Sequence, residues 1–115
     1  MAEYRLTEVT DHRDTLRFIT FPDELYRGCP QYVPALHSDE MFMLTKFAAL
    51  SYCRRKMWLV QDGGRVAGRI CAIINPRYNE LYGTRRVRFG WFDCVEDIEV
   101  ARMLIWAASD WARKE

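Results

Sequence analysis

The run from Met57 to Asn75 constrains this chain more than any other segment. Met57-Trp58-Leu59-Val60 is apolar on alternate sides, Gln61-Asp62-Gly63-Gly64 follows, and Arg65 to Asn75 returns as a second apolar stretch. Asp-Gly and Gly-Gly supply the positive φ that a tight turn between antiparallel strands requires, so the segment reads as a β-hairpin. In the returning strand Val66, Gly68, Ile70, Ala72 and Ile74 share one face, and Ala67, Arg69, Cys71 and Ile73 the other. Both faces are largely apolar towards its end, which places the hairpin at the centre of a sheet.

The flanking segments supply the remaining elements. Tyr4 to Val9 alternates as a short strand, and Thr10 and Asp11 offer caps for a helix from about His12. Pro22 is expected to interrupt that helix or to restart a turn at Asp23–Tyr26, and Cys29 to Pro34 is expected to be extended, with Tyr32 pinning it to the core. Met41, Leu44, Phe47 and Ala48 predict a helix over Ser38–Leu50, capped by Ser38 or Asp39. Asn75 to Thr84 reads as a long polar loop with aromatic anchors. A strand is expected over Arg86–Asp93, with Val87, Phe89 and Trp91 on one face, Arg88, Gly90 and Phe92 on the other, and Gly90 marking a bulge or a close approach. From Asp97 onward Ala101, Leu104, Ile105, Ala108, Trp111 and Ala112 form the apolar face of a last helix.

Composition excludes several classes. A chain of 115 residues, 50% hydrophobic, can bury a core without a metal or disulfide staple. Cys29, Cys53, Cys71 and Cys94 are widely spaced, with no C-x-x-C pair and no Cys/His cluster, so they read as reduced thiols with no metal site. The start MAEYRLTEV lacks a basic, apolar leader, and no stretch approaches a membrane span, which leaves the cytoplasm as the expected compartment. A net charge of +1 gives no global field towards nucleic acid or an anionic membrane, and neither is expected as a partner.

Single candidates for chemistry have simpler explanations. His12 and His37 have no carboxylate or Ser at catalytic spacing and read as structural or surface residues. Cys94 sits near a helix start, but the acids around it oppose thiolate formation, and Cys71 reads as a small core residue. Arg85, Arg86 and Arg88, with Arg77 before them, interleave with Tyr78, Tyr82 and Phe89; a solvated strand edge explains them better than nucleic-acid contact. No lysine follows Gly63-Gly64 at P-loop spacing, so that pair is a turn.

The order of strand, helices, hairpin, strand with a central Gly90 and final helix resembles the amino-terminal half of a GNAT-type N-acetyltransferase. The resemblance is carried by Phe18-Ile19-Thr20-Phe21-Pro22, Leu25-Tyr26, Pro30 with Tyr32-Val33-Pro34, Gly68 to Asn75, and Phe89-Gly90-Trp91-Phe92-Asp93, which look like a bacterial group of GNAT-like proteins. It implies an α/β (α+β) fold: a mixed, mostly antiparallel sheet flanked by helices, forming part of the acyl-CoA N-acyltransferase fold.

The resemblance also implies where acetyl-CoA or another acyl-CoA would lie in the full-length protein: along the backbone of Phe89, Gly90, Trp91, Phe92 and Asp93, with its pyrophosphate on a glycine-rich loop at the start of the next helix. Here Asp93-Cys94-Val95-Glu96-Asp97-Ile98-Glu99 contains no glycine. Its four carboxylates are expected to occupy the free amides and to repel a pyrophosphate by about 1 kcal/mol each. No cofactor is therefore expected in this chain, and no catalytic residue is carried over, because the family's general acid belongs to the later half of the fold. The helix pattern runs to Glu115 without a glycine or proline stop, and Val100 and Trp106 lie off the main stripe, suited to burial against a further element. Residues 1–115 are thus expected to be one domain, the truncated amino-terminal part of a larger protein, catalytically incomplete by itself. The alternative is a non-catalytic protein-interaction module, and self-association is expected through the final strand edge or the last helix.

Overall fold

The computed structural model describes residues 3–115. Strand β1 (Tyr4–Glu8) leads to helix α1 (His12–Leu25) and helix α2 (His37–Thr45), and a 3-10 turn follows at Ala48–Ser51. Strands β2 (Arg54–Asp62) and β3 (Arg65–Ile74) form the hairpin; helix α3 (Pro76–Tyr82), strand β4 (Arg88–Cys94) and helix α4 (Ile98–Lys114) complete the chain. The sheet order is β1-β2-β3-β4 and each pairing is antiparallel, with no parallel pair among the described residues. The strand order makes the hairpin central, and Gly63 in its turn has φ 61°.

Two layers of side chains enclose the sheet. On one face α4 packs Val100, Leu104 and Trp111 against Trp58, Val60, Ile70 and Ala72. The indoles of Trp58 and Trp111 meet edge to face at 6.0 Å. On the other face α1 and α2 pack Phe18, Ile19 and Leu44 against Met57, Leu59 and Cys71. Each fully buried Leu or Ile in these layers contributes roughly 1.5–3 kcal/mol.

Two bulges change which residues share a face. Val60 pairs with Gly68 but Gln61 pairs with Val66, so Ala67 is an extra residue in β3. Ala67 consequently joins the α4 layer, and Val66 crosses to the α1 layer, opposite to strict alternation. The second bulge lies in β4: Asp93 pairs with Arg69 and Gly90 with Cys71, so Trp91 and Phe92 together oppose Ile70. Trp91 takes φ 46° there and packs into the α1 layer with Gly90 and Asp93, while Phe92 turns to meet Phe89 at 6.0 Å. The expected grouping of Trp91 with Phe89, and of Phe92 with Gly90, is thereby corrected. Gly90 marks the neighbourhood of the bulge but no close approach, since nothing lies within 4 Å of the position its Cβ would take.

Other expectations are revised by local chemistry. Pro22 lies inside α1 without ending it, and its ring is buried. The segment after α1 turns at residues 26–31 before it extends. Helix α2 begins at His37 after Leu36, with no side-chain cap, so Ser38 and Asp39 fall in its first turn; it ends at Thr45, short of Leu50. Asn75 to Thr84 is a short helix: Asn75 accepts from the amide of Tyr78 at 3.0 Å, Pro76 stands at the first position, and Gly83 closes it with φ 61°. In α4 the apolar stripe is rotated, so that Val100 is fully buried in the core of this same chain whereas Ile105 is 38% exposed.

Candidate functional site

The polar residues that converge lie on the α1 side of the sheet, next to the β4 bulge. Their centre is Arg69, 6% exposed and flanked in β3 by Val66, Ala67, Gly68, Ile70, Cys71 and Ala72. The i,i−4 rule of the helix explains what anchors it. Pro22 has no amide hydrogen to give to the carbonyl of Phe18, and Arg69 Nη1 donates to that oxygen at 2.8 Å. The guanidinium also lies over the Phe18 ring at 5.0 Å and donates through Nε and Nη2 to Asp93 Oδ2, each at 2.9 Å. A fork of donors on a carboxylate is the geometry for which arginine is suited.

Asp93 is shared. Its Oδ1 accepts from the hydroxyl of Tyr26 at 2.7 Å, and this bond, then burial, pushes the Tyr26 phenol up to about 12. Tyr26 stacks on Tyr32 at 5.0 Å, and the Tyr32 hydroxyl donates to Asp23 Oδ1 at 2.9 Å. The other oxygen of Asp23 meets His37 Nε2 at 2.5 Å. The hydrogen bond from His37, followed by that from Tyr32, holds the Asp23 carboxyl below its ordinary range. Glu40 completes the rim by accepting from Trp91 Nε1 at 2.8 Å, a bond that fixes the indole at its left-handed backbone position.

These groups border a cavity of about 560 Å³ lined by Asp23, Tyr26, Tyr32, Leu36 and His37. A smaller cleft of about 150 Å³ adjoins it and reaches Arg69, Asp93 and Glu40. The arrangement offers a ligand the three carboxylates of Asp23, Glu40 and Asp93, an imidazole whose Nε2 is engaged, and a tyrosine stack. It suits a polar molecule that carries a hydrogen-bond donor or a positive charge.

The sequence-derived residues divide across the strand. Phe89 and Phe92 lie on the α4 side and are exposed; Gly90, Trp91 and Asp93 lie on the cavity side. The outer edge of β4 pairs with no strand among the described residues. The acid-rich loop behaves differently from expectation at Asp93, which is bound to Arg69 and Tyr26 and caps nothing. Asp97 alone caps α4: its side chain accepts from the amide of Glu99 at 3.0 Å and its carbonyl from those of Val100 and Ala101. The Tyr4 hydroxyl donates to Asp97 at 2.6 Å, and this bond, then the Glu99 amide, holds its carboxyl below the ordinary range. An ionised carboxylate on the first-turn amides is a poor partner for pyrophosphate, so the residues here do not fit that part of coenzyme A.

Sequence spacing alone does not single out Arg69, Tyr26, Asp23 or Glu40, and it gives His37 no carboxylate partner; the fold supplies one in Asp23. A signal for Arg69 was present, since a lone arginine in a doubly apolar strand needs a buried counterion. Cys29 lies on the lining of the larger cavity, whereas burial pushes Cys71 up to about 11, and burial followed by Asp93 and Asp97 raises Cys94. Among the described residues no group of three His, Cys, Asp or Glu side chains is placed to hold a metal, and no helix is long and apolar enough to cross a membrane.

No family model matches the chain. It is 30% identical over 103 residues to Protein YghO of Escherichia coli (strain K12), an alignment spanning 89% of this chain and 26% of that protein. Among solved structures it is similar to a tandem GNAT protein from the clavulanic acid biosynthesis pathway (without AcCoA), with a TM-score of 0.69 and 21% identity over 97% of this chain. The chain spans 34% of that structure and about a quarter of the curated relative. The likeness shows that the fold is GNAT-like.

Proposed function

We propose that this chain is an N-acyltransferase-like domain that supplies the acceptor side of a site and a strand edge for an acyl-CoA, and is catalytically incomplete by itself. The observation that carries this reading is the β4 bulge, which sets the free edge of residues 88–94 beside the cavity of Asp23, His37, Arg69 and Asp93. A pantetheine arm pairs with a strand edge through backbone groups, so residues 89–93 would receive it whatever their side chains. The pyrophosphate has no matching anchor, because Asp97 holds the amides at the start of α4. Calorimetric titration with acetyl-CoA, together with an amine acetylation assay, tests the reading. Binding weaker than about 100 μM and no transfer are expected; low-micromolar binding or turnover would overturn it.

A second reading is favoured by one surface. Trp106 is 59% exposed and borders an apolar hollow with Leu6 and Met103. In this reading the domain is a non-catalytic module that pairs with a second copy of itself through α4. Sedimentation showing a monomer at high concentration rejects it.

A further inference from the structure

The start of β4 carries positive charge without a counterion. Arg55, Arg77, Arg85, Arg86 and Arg88 enter no ion pair among the described residues, whereas neighbouring Arg54 is neutralised by Glu115 at 2.9 Å. The Nε of Arg55 is buried and has no hydrogen-bond partner among the described residues.

Register places the arginines around one floor. Ile73 pairs with Arg55 on one side and Arg88 on the other, so all three share the α1 face of the sheet. With strands about 4.8 Å apart, the two arginine stems rise roughly 10 Å from each other. Beside Arg88 opens a cavity of about 260 Å³ lined by Cys53, Ile73, Tyr78, Asn79, Arg86 and Arg88. Asn79 fixes the main chain of Arg86 on the rim, accepting from its amide and donating to its carbonyl, both at 3.1 Å. Arg88 lies over the Tyr78 ring at 5.2 Å, and Tyr78 meets the exposed Tyr82 at 4.6 Å.

We propose that this cavity binds a phosphorylated small molecule of nucleotide size, with its phosphoryl oxygens on Arg86 and Arg88 and its ring on the tyrosine pair. Guanidinium forks match phosphate oxygens two at a time, and aromatic faces accept a base without regard to its identity. A net charge of +1 supplies little of the long-range field that draws a polymer, which favours a small ligand. Arg88 stands six residues from Cys94 along an extended strand, roughly 20 Å away, so this site is separate from the one at the start of α4 and does not rest on the acyltransferase reading.

Titration of the whole chain with inorganic pyrophosphate, with ADP and with a short single-stranded oligonucleotide tests the assignment by calorimetry or NMR shifts. Pyrophosphate and ADP are expected to bind, and Arg86→Gln with Arg88→Gln to weaken both by about tenfold or more. Arg113→Gln, an exposed change on α4, should leave them unaltered, and thermal melting confirms that each variant folds. Tyr82→Ala should weaken ADP more than pyrophosphate. The proposal falls if neither probe binds at millimolar concentration, if the double arginine variant binds as the parent does, or if the oligonucleotide binds while ADP does not.

Discussion

The carbonyl oxygen of Phe18, which Pro22 deprives of its helical donor, accepts from the guanidinium of Arg69 at 2.8 Å. A helix-breaking residue and a buried charge, each unfavourable alone, are thus made compatible. Pro22 leaves an acceptor free within α1, and Arg69 brings the donor from β3.

The Arg69–Asp93 pair should therefore be costly to split. Arg69→Met strands Asp93 and reopens the Phe18 carbonyl, and Asp93→Ala strands a guanidinium that is nearly all buried. Breaking a buried pair from one side costs about 3 kcal/mol or more, whereas removing both partners costs less than the sum. Urea denaturation of the two single variants and the double variant measures the coupling, and simple additivity would show that the pair does not act as a unit.

Gly68 should tolerate no side chain. Its Cβ would lie 2.8 Å from Leu104 Cδ1, 2.8 Å from Val100 Cγ1 and 3.0 Å from Cys94 Cβ. Leu104 and Val100 are fully buried, so neither has room to withdraw. Gly68→Ala is expected to destabilise the domain by about 1–3 kcal/mol through displacement of α4, read from a thermal or urea transition. An unchanged midpoint would mean that α4 does not press on β3.

Stability should fall on the alkaline side. Hydrogen bonds to Asp97 and Asp93 push the phenols of Tyr4 and Tyr26 from 10.0 up to about 12, and burial takes the Cys71 thiol from 9.0 to about 11. A raised folded-state value means that the unfolded chain loses its proton first. These groups accordingly contribute stability that is intact below their ordinary values and is lost as pH rises through the folded ones. Tyr26→Phe should flatten the decline between pH 10 and about 12 in urea midpoints. Asp23 and Asp97 act in the opposite direction: both are lowered, so their contribution is present above 3.8 and is lost on acidification below it.

The hairpin, the central position of β3 and the packing of α4 on one face were legible because each follows from a turn signal or a repeated spacing. Bulges are not written that way. An extra residue at Ala67 or Trp91 reverses every side chain beyond it, and the cause is the partner strand rather than the local sequence. The helix over Pro76–Tyr82 was legible in principle, since Asn75, Pro76 and Gly83 are its start and stop residues, but its exposed side chains give no apolar period to detect. The candidate site was legible only in Asp93 and the strand around it. Its other members come from α1, α2 and β3, and only the antiparallel register of β3 with β4 brings Arg69 to Asp93.

The last prediction concerns charge at the start of α4. Glu96 is exposed, and Asp97 stands on the first-turn amides with its carboxyl held ionised by Tyr4 and the Glu99 amide. If their charge is what excludes a pyrophosphate, Glu96→Gln with Asp97→Asn should tighten acetyl-CoA binding, because the Asn side chain still caps the helix while two like charges disappear. A gain of about fivefold or more is expected at low ionic strength, shrinking as salt is added. Calorimetry on the double variant and on Asp97→Asn alone separates the charge of Glu96 from that of Asp97. A weaker complex in the double variant, with an unchanged melting temperature, would mean that the phosphates do not approach α4 at all.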